Sequence, residues 1–346
     1  MAKVALIYCD SYEQEKVNAA VSKGAGLLGG LDSIFKSGEK VVLKPNMLAA
    51  DTVDKVSTTN PAVFTAVAQL LAKMDLKLTY GDSPAIHKPL NAATKSGIKA
   101  AADSLGIELA DFEKGQDIFN EKGSFIKKFH IANGVLEADS LVSLPKLKTH
   151  GFARMTGSVK NQFGCVPGKL KGEMHVKLPD GKDFSRMLVD LNNFVSPKLY
   201  VMDGIIAMEG NGPRSGNPKA MNVILMSTDP IALDATVCRM IVLNPEFVET
   251  IKVGYETGMG TYLEDEIEIV GEPLESFIHK EYDVVRRPVE KALDTGLKSV
   301  IEQLFVSKPY IIEKDCVKCG LCVNMCPVPD KAIRFENDDR TQIPVY

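Results

Sequence analysis

Short apolar runs rich in β-branched residues alternate along most of the chain with stretches whose apolar positions recur at helical spacing. The runs predict strands over 4–8, 40–43, 77–80, 140–143, 198–202, 221–226 and 266–270. The helical spacing predicts helices over 13–28, 61–73, 90–105, 184–194, 230–241 and 288–305. Pro61 and Pro230 fall where proline suits a first helical turn, each preceded by a capping residue, Asn60 and Asp229. Strands alternating with helices predict an α/β fold, a mostly parallel sheet flanked by helices. Ligands of such sheets gather at the carboxyl ends of the strands. The charged, irregular stretch over 271–287 precedes a helix that leads into a small C-terminal segment. The expected division is an α/β domain over 1–306 and a ferredoxin-like α+β half-module over 307–346.

That C-terminal segment holds Cys316-x-x-Cys319-x-x-Cys322-x-x-x-Cys326-Pro327. Three thiolates at intervals of three, then a fourth ahead of a proline, match the bacterial-ferredoxin spacing for a [4Fe–4S] cluster. The competing readings are a zinc site, which usually shows two separated C-x-x-C knuckles, and a disulfide pair. In two-cluster ferredoxins the fourth cysteine of each run reaches across to the other cube. One run is present here, so one cluster is expected from this chain, and two if the natural protein has a second run. The extended ending from Gln342 to Tyr346 favours a protein that continues; the alternative is that Cys326 folds back to complete a single cluster. The spacing from Pro327 to Ala332-Ile333 is two residues longer than usual, which enlarges the turn after Cys326.

The formal net charge of −4 gives no support to nucleic-acid binding. No apolar run approaches the length of a membrane span, and the first residues do not read as a secretory leader. A cytoplasmic setting, where thiols stay reduced, is expected. Cys9, Cys165 and Cys238 are far apart and read as buried thiols.

Against this acidic background, Leu144 to Lys177 collects seven cations (Lys146, Lys148, Arg154, Lys160, Lys169, Lys171 and Lys177) with one acid, Glu173, and the histidines His150 and His175. A local concentration of positive charge attracts phosphates, carboxylates or acidic protein surfaces. The competing reading is a solvated lysine face. Two strand ends add polar groups: Lys44-Pro45-Asn46, and Gly81-Asp82-Ser83-Pro84, which also reads as turn chemistry. The stretch from Met202 to Gly216 reads as a strand closed by Asp203 and then a long glycine-rich loop carrying Glu209 and Arg214. Asp203 and Glu209 would orient Arg214 or hold a metal. Asp229 reads as a helix cap, with Asp234 inside the helix.

These segments resemble the ferredoxin-tailed members of the domain-of-unknown-function family 362. The likeness rests on Val41 to Asn46, on Leu144 to Gly151 continuing to Lys160-Asn161-Gln162-Phe163-Gly164, on Asp203-Gly204 through Gly216, and on Ser227 to Asp234, with the cysteine run following. The resemblance implies an iron–sulfur protein with an α/β domain of unsettled activity and a tail that generally carries two cysteine runs. The large domain is also distantly similar, in fold, to lactate-racemase-like proteins.

The expectation is a redox protein in which a [4Fe–4S] cluster exchanges electrons with a site in the α/β domain. A small anionic ligand would meet Lys44, Asn46, Asp82, Lys148, Arg154, Lys160, Asn161 and Arg214, with His150, Asp203 and Glu209 in acid–base or orienting roles. The cluster would use Cys316, Cys319, Cys322 and Cys326. One alternative is an electron carrier that docks an acidic redox partner through its basic patch. Another is a non-redox enzyme with a structural cluster. No G-x-G-x-x-G follows a strand, so a dinucleotide is not implied; a flavin is compatible, because many flavin sites have no short motif.

Overall fold

The structure is a computed structural model that describes residues 1–168, 170–287, 311–325, 333–339 and 341–345. Its centre is a twisted sheet in the order β12-β1-β11-β10-β7-β2-β3-β4. The strands on this path that shape the site are β1 (Ala2–Tyr8), β2 (Lys40–Pro45), β3 (Lys77–Tyr80), β7 (Ser140–Leu144), β10 (Leu199–Glu209) and β11 (Asn217–Ser227). The short β4 (Glu108–Leu109) and β12 (Ile267–Gly271) form the two edges. β5 (Gly115–Phe119) and β6 (Lys128–Ala132) make a separate antiparallel ribbon. Pairing is parallel from β10 through β7, β2 and β3 to β4, and between β1 and β12; β11 runs antiparallel between β1 and β10.

Strands buried on both faces read as continuous apolar runs, and those runs are what the sequence displays. Val41, Val42 and Leu43 are fully buried, as are Val201, Met202, Val223, Ile224 and Leu225. Helices α1 (Gln14–Leu27) and α2 (Pro61–Ala72) cover one face, where Val17, Val21, Val63, Phe64 and Leu71 pack with Ile7, Leu43 and Val201. Helices α8 (Gly181–Val195), α9 (Pro230–Met240) and α10 (Glu249–Glu256) cover the other, where Phe184, Leu188, Leu233 and Ile251 meet Leu6, Met202 and Leu225. The buried Asp190 of α8 accepts hydrogen bonds from Ser124 N and Oγ, Phe125 N and Ile126 N, and so pins the loop between β5 and β6.

The structure departs from the sequence pattern in several places; β4, the β5–β6 ribbon and α10 are not expected from it at all. The helix expected over 90–105 is two helices, α3 (Pro89–Lys95) and α4 (Ile98–Ser104), separated at Gly97, whose φ of 78° breaks the helical path. Two short helices lie further along, α5 (Asn133–Leu136) and α6 (Gly157–Asn161), and α7 (Leu170–Lys177) precedes α8. The polar run Lys146–His150, to which the sequence pattern assigns no element, is strand β8, which pairs with β10 and with β9 (Arg154–Met155). Asp203 does not close a strand; β10 continues to Glu209 and returns as β11, a long hairpin where a loop was expected. The helix expected over 288–305 lies outside the described residues. No described helix is long and apolar enough to cross a membrane.

Candidate functional site

β2, β3 and β7 run parallel, so their carboxyl ends lie at the same end of the sheet, where β8 continues along β10. Lys44, Lys146 and Lys148 all lie within 1% exposure of complete burial, and Lys171 is buried as well. A solvated lysine face is therefore the wrong reading for Lys146, Lys148 and Lys171; Lys177 alone fits it, exposed beside Glu173. Lys169 lies outside the described residues.

Buried charges need partners, and two of the lysines have them. Lys44 Nζ lies 2.8 Å from Asp82 Oδ1, while Asp82 Oδ2 accepts from Met47 N at 2.6 Å. Gly164 makes this pair possible: a Cβ there would sit 1.7 Å from Asp82 Oδ1 and 2.7 Å from Lys44 Nζ. Lys146 Nζ lies 2.7 Å from Asp203 Oδ2 and donates to Tyr12 Oη at 2.9 Å. Tyr12 in turn donates to Asp203 Oδ1 at 2.8 Å, and Asn60 N at the start of α2 donates to Oδ2 at 2.9 Å. Burial pushes the Lys146 amine down and Asp203 opposes that shift. This triad ties the end of β1, the start of α2 and the middle of β10 together.

The remaining cations have no carboxylate in contact. Lys148 Nζ donates only to neutral oxygens, Asn46 Oδ1 at 2.7 Å and Ser57 O at 2.6 Å. Burial, reinforced by Lys160, pushes its amine down to about 7. Lys171 Nζ donates to Ser83 O and Val166 O, and burial brings it to about 7 too. Lys160 has ring faces instead of acceptors: its Nζ lies 5.5 Å from the centroids of both Phe163 and Phe184. Burial holds it at about 8. His175 stacks on Phe184 at 4.3 Å, and Phe152 meets both of those rings edge-on, so the two rings under Lys160 belong to a larger aromatic cluster.

Asn161 is the switchboard of the neutral contacts. Its Oδ1 accepts from Lys44 and from Asn46 Nδ2, and its Nδ2 donates to Ser143 Oγ. Its helix, α6, is held from behind by Asp234 of α9. Asp234 Oδ1 accepts from Ser158 N at 2.6 Å and Oδ2 from Val159 N at 3.3 Å. Gly157, with φ of 61°, leaves room for that carboxylate; a Cβ would lie 2.5 Å from it.

His150 ends β8 and is held neutral: burial, then Lys160 and Lys148, push it down to about 2. Its Nδ1 accepts from Phe152 N at 3.1 Å and Ala153 N at 3.2 Å. His150 and Arg154 share a cleft of about 200 Å³ with Thr149, Gly210 and Asp283. A larger hollow of about 490 Å³, bordered by Asn18, Gln69 and Leu105, has none of the site's cations on its walls.

Two expected roles need correction. Asp203 and Glu209 neither orient Arg214 nor pair at a metal. They lie six residues apart on one strand, about 20 Å, and Glu209 accepts from Asp283 N and faces Lys219. Arg214 grips Asp51 through Nε and Nη2, the latter at 2.7 Å from Oδ1. Burial alone would raise the Asp51 carboxyl, but Arg214 and Ser57 hold it below the usual range. Among the described residues no group of three or more His, Cys, Asp or Glu side chains is disposed to hold a metal ion. Sequence reasoning missed Tyr12 and Asp51 as partners, and only their placement just after β1 and β2 hinted at the site.

In the C-terminal segment Cys316 is half-buried, Cys319 and Cys322 are exposed, and all three are free thiols. Cys326 lies outside the described residues. Positive φ at Lys318 (54°) and Gly320 (71°) curls the loop that carries Cys316 and Cys319, and Cys322 falls in the short helix that follows, Leu321–Met325. Accessible soft thiolates at this spacing fit the iron of a [4Fe–4S] cluster.

Comparisons with known proteins agree with both halves. Residues 309–329 match the 4Fe-4S binding domain, so the chain carries a [4Fe–4S]-binding segment and belongs among iron–sulfur electron-transfer proteins. The chain is 31% identical over 305 residues to the thylakoid-associated protein sll1697 of Synechocystis sp., covering 88% of this chain and 94% of that one. Among solved structures it is similar to the lactate racemase apoprotein from Thermoanaerobacterium thermosaccharolyticum, with a TM-score of 0.43 and 12% identity. That match covers 72% of this chain and 57% of the other. A protein from Thermotoga maritima gives a TM-score of 0.39 at 10% identity, covering 65% of this chain and 57% of that one. Residues 41–239, which span β2 through α9 and hold every buried lysine of the site, match the domain of unknown function DUF362, and the chain is a member of that family with a ferredoxin-type tail.

Proposed function

We propose that the cluster exchanges single electrons with chemistry on a small anionic ligand held at the strand ends by Lys148 and Lys160, with Arg154 at the adjoining cleft. One observation carries this reading: Lys148 and Lys160, like Lys171, are largely buried ammonium groups that contact no carboxylate. Desolvating a cation costs several kcal/mol unless a counter-charge arrives, and an incoming anion would supply it. Lys44 and Asp82, through Asn46 and Asn161, would fix the position of Lys148 rather than bind the ligand themselves. When bound, the cluster supplies or accepts electrons one at a time; the residues of the α/β domain bind, orient and shield the ligand.

The docking alternative, a basic patch meeting an acidic partner, loses its support where the lysines are inside the fold. A redox partner protein would instead approach the accessible cysteine loop. A cytoplasmic setting belongs to the same proposal, since all the described cysteines are free thiols; the relative's association with thylakoids makes a membrane surface the competing location.

The test is calorimetric titration of the anaerobically prepared protein with acetate and with inorganic phosphate. Lys160→Ala should abolish the binding seen in wild type and leave iron content unchanged. Binding that survives the substitution, or loss of iron along with it, contradicts the proposal.

A further inference from the structure

The cleft beside β8 has a feature that bears on what it binds. His150 Nδ1 accepts two backbone hydrogen bonds, from Phe152 N and Ala153 N, so it carries no proton. In the neutral ring the proton is then on Nε2. Nε2 has no partner among the described residues, which leaves a fixed N–H donor free at this position. His150 does not suit the acid–base role expected from sequence, because its accepting nitrogen is already engaged with the turn.

Arg154 sits opposite His150 across the β8–β9 pairing, with φ of 64°. One nitrogen, Nη2, donates to Arg287 O at 3.1 Å. Its Nε is buried and has no hydrogen-bond partner, which is a costly state for a charged donor. Thr149 is not available as a further donor, since its hydroxyl already donates to Gly210 O at 2.9 Å. Asp283 also lines the cleft, is exposed, and repels negative charge near its carboxylate.

We infer that this cleft takes a small oxyanion, a carboxylate or a phosphate, whose charge meets Arg154 and one of whose oxygens accepts a hydrogen bond from His150 Nε2. The inference rests on the proposed anion site and extends it into the adjoining cleft, whose lining holds His150 and Arg154 but neither Lys148 nor Lys160. A volume of about 200 Å³ lies below that of pockets for drug-sized molecules, so the occupant is small. Asp283 requires that its negative end lie away from that carboxylate.

Two substitutions separate the two nitrogens. His150→Asn keeps an acceptor near the Nδ1 position, so the turn through Phe152 and Ala153 is retained, but withdraws the outward donor. His150→Gln places an amide N–H near the Nε2 position. Binding of acetate and of inorganic phosphate is measured for each by calorimetry, and the ring nitrogens of wild type are followed by nitrogen-15 magnetic resonance. His150→Asn should weaken binding by about tenfold or more, with an unchanged circular-dichroism spectrum, and His150→Gln should recover part of the loss. In wild type Nε2 should report as protonated and shift on addition of whichever anion binds, and that anion identifies the source. An unprotonated Nε2, or wild-type affinity in His150→Asn, overturns the assignment while leaving the lysine site standing. Absence of binding by either anion in wild type, or full affinity in Lys160→Ala, overturns the underlying anion site as well.

Discussion

At the scale of single residues, the site turns on lysines that burial has made weakly basic. Lys148 and Lys171 lie near 7 and Lys160 near 8, against about 10.4 for a solvated lysine. The sign of the consequence is fixed. Between the folded and unfolded values the unfolded chain holds protons that the folded chain lacks, so stability rises with pH across that window. It is lost again as pH falls through 8 to 7. Going from pH 6.5 to pH 9 should stabilise the ligand-free protein by an amount on the order of 1–3 kcal/mol for each such lysine. Lys148→Met should show a smaller gain, measured as the shift in urea midpoint between the two pH values. A midpoint that falls with pH, or an equal gain in the variant, would show that Lys148 stays fully charged. The same protons govern the ligand: anion affinity falls as pH rises through this range.

At the scale of elements, the sequence displayed its buried strands because their residues are apolar on both faces. β3 occupies the four residues read from the pattern, and β2 and β7 differ only at their ends. It concealed β8, since Lys-Leu-Lys-Thr-His has the polarity of a loop. That polarity is the site itself: Lys146 and Lys148 are charged strand residues turned inward, where Asp203, Asn46 and Ser57 receive them. Arg154, Lys160 and Asn161 were legible as a cluster because they are close in sequence. The Asp51–Arg214 grip was not, because its partners are 163 residues apart. Asp234 illustrates the same limit. Read from the sequence, it is an acid among apolar helix neighbours that could turn toward the site; in the structure it is instead the acceptor that holds α6, the helix carrying Lys160 and Asn161. Asp234→Asn exchanges an acceptor for a donor that faces backbone N–H groups. It should cost about 1–3 kcal/mol in urea unfolding and weaken anion binding together with stability. A wild-type midpoint would remove Asp234 from the support of the site.

At the scale of the whole molecule, an α/β domain that matches DUF362 and has inward-facing lysines is joined to a cysteine run that binds [4Fe–4S]. Coupling between the two is a thermodynamic statement: an anion that binds one redox state more tightly must shift the cluster's potential. A tenfold difference in affinity corresponds to about 59 mV for a one-electron couple. The most direct measurement is a potentiometric titration followed by paramagnetic resonance, on protein made under strict exclusion of oxygen, with and without saturating acetate or phosphate. The expected result is a reduced-state signal whose midpoint moves with the anion in wild type and stays fixed in Lys160→Ala. A midpoint indifferent to an anion that wild type binds, or a reduced protein with no signal, would contradict the coupling of cluster and site.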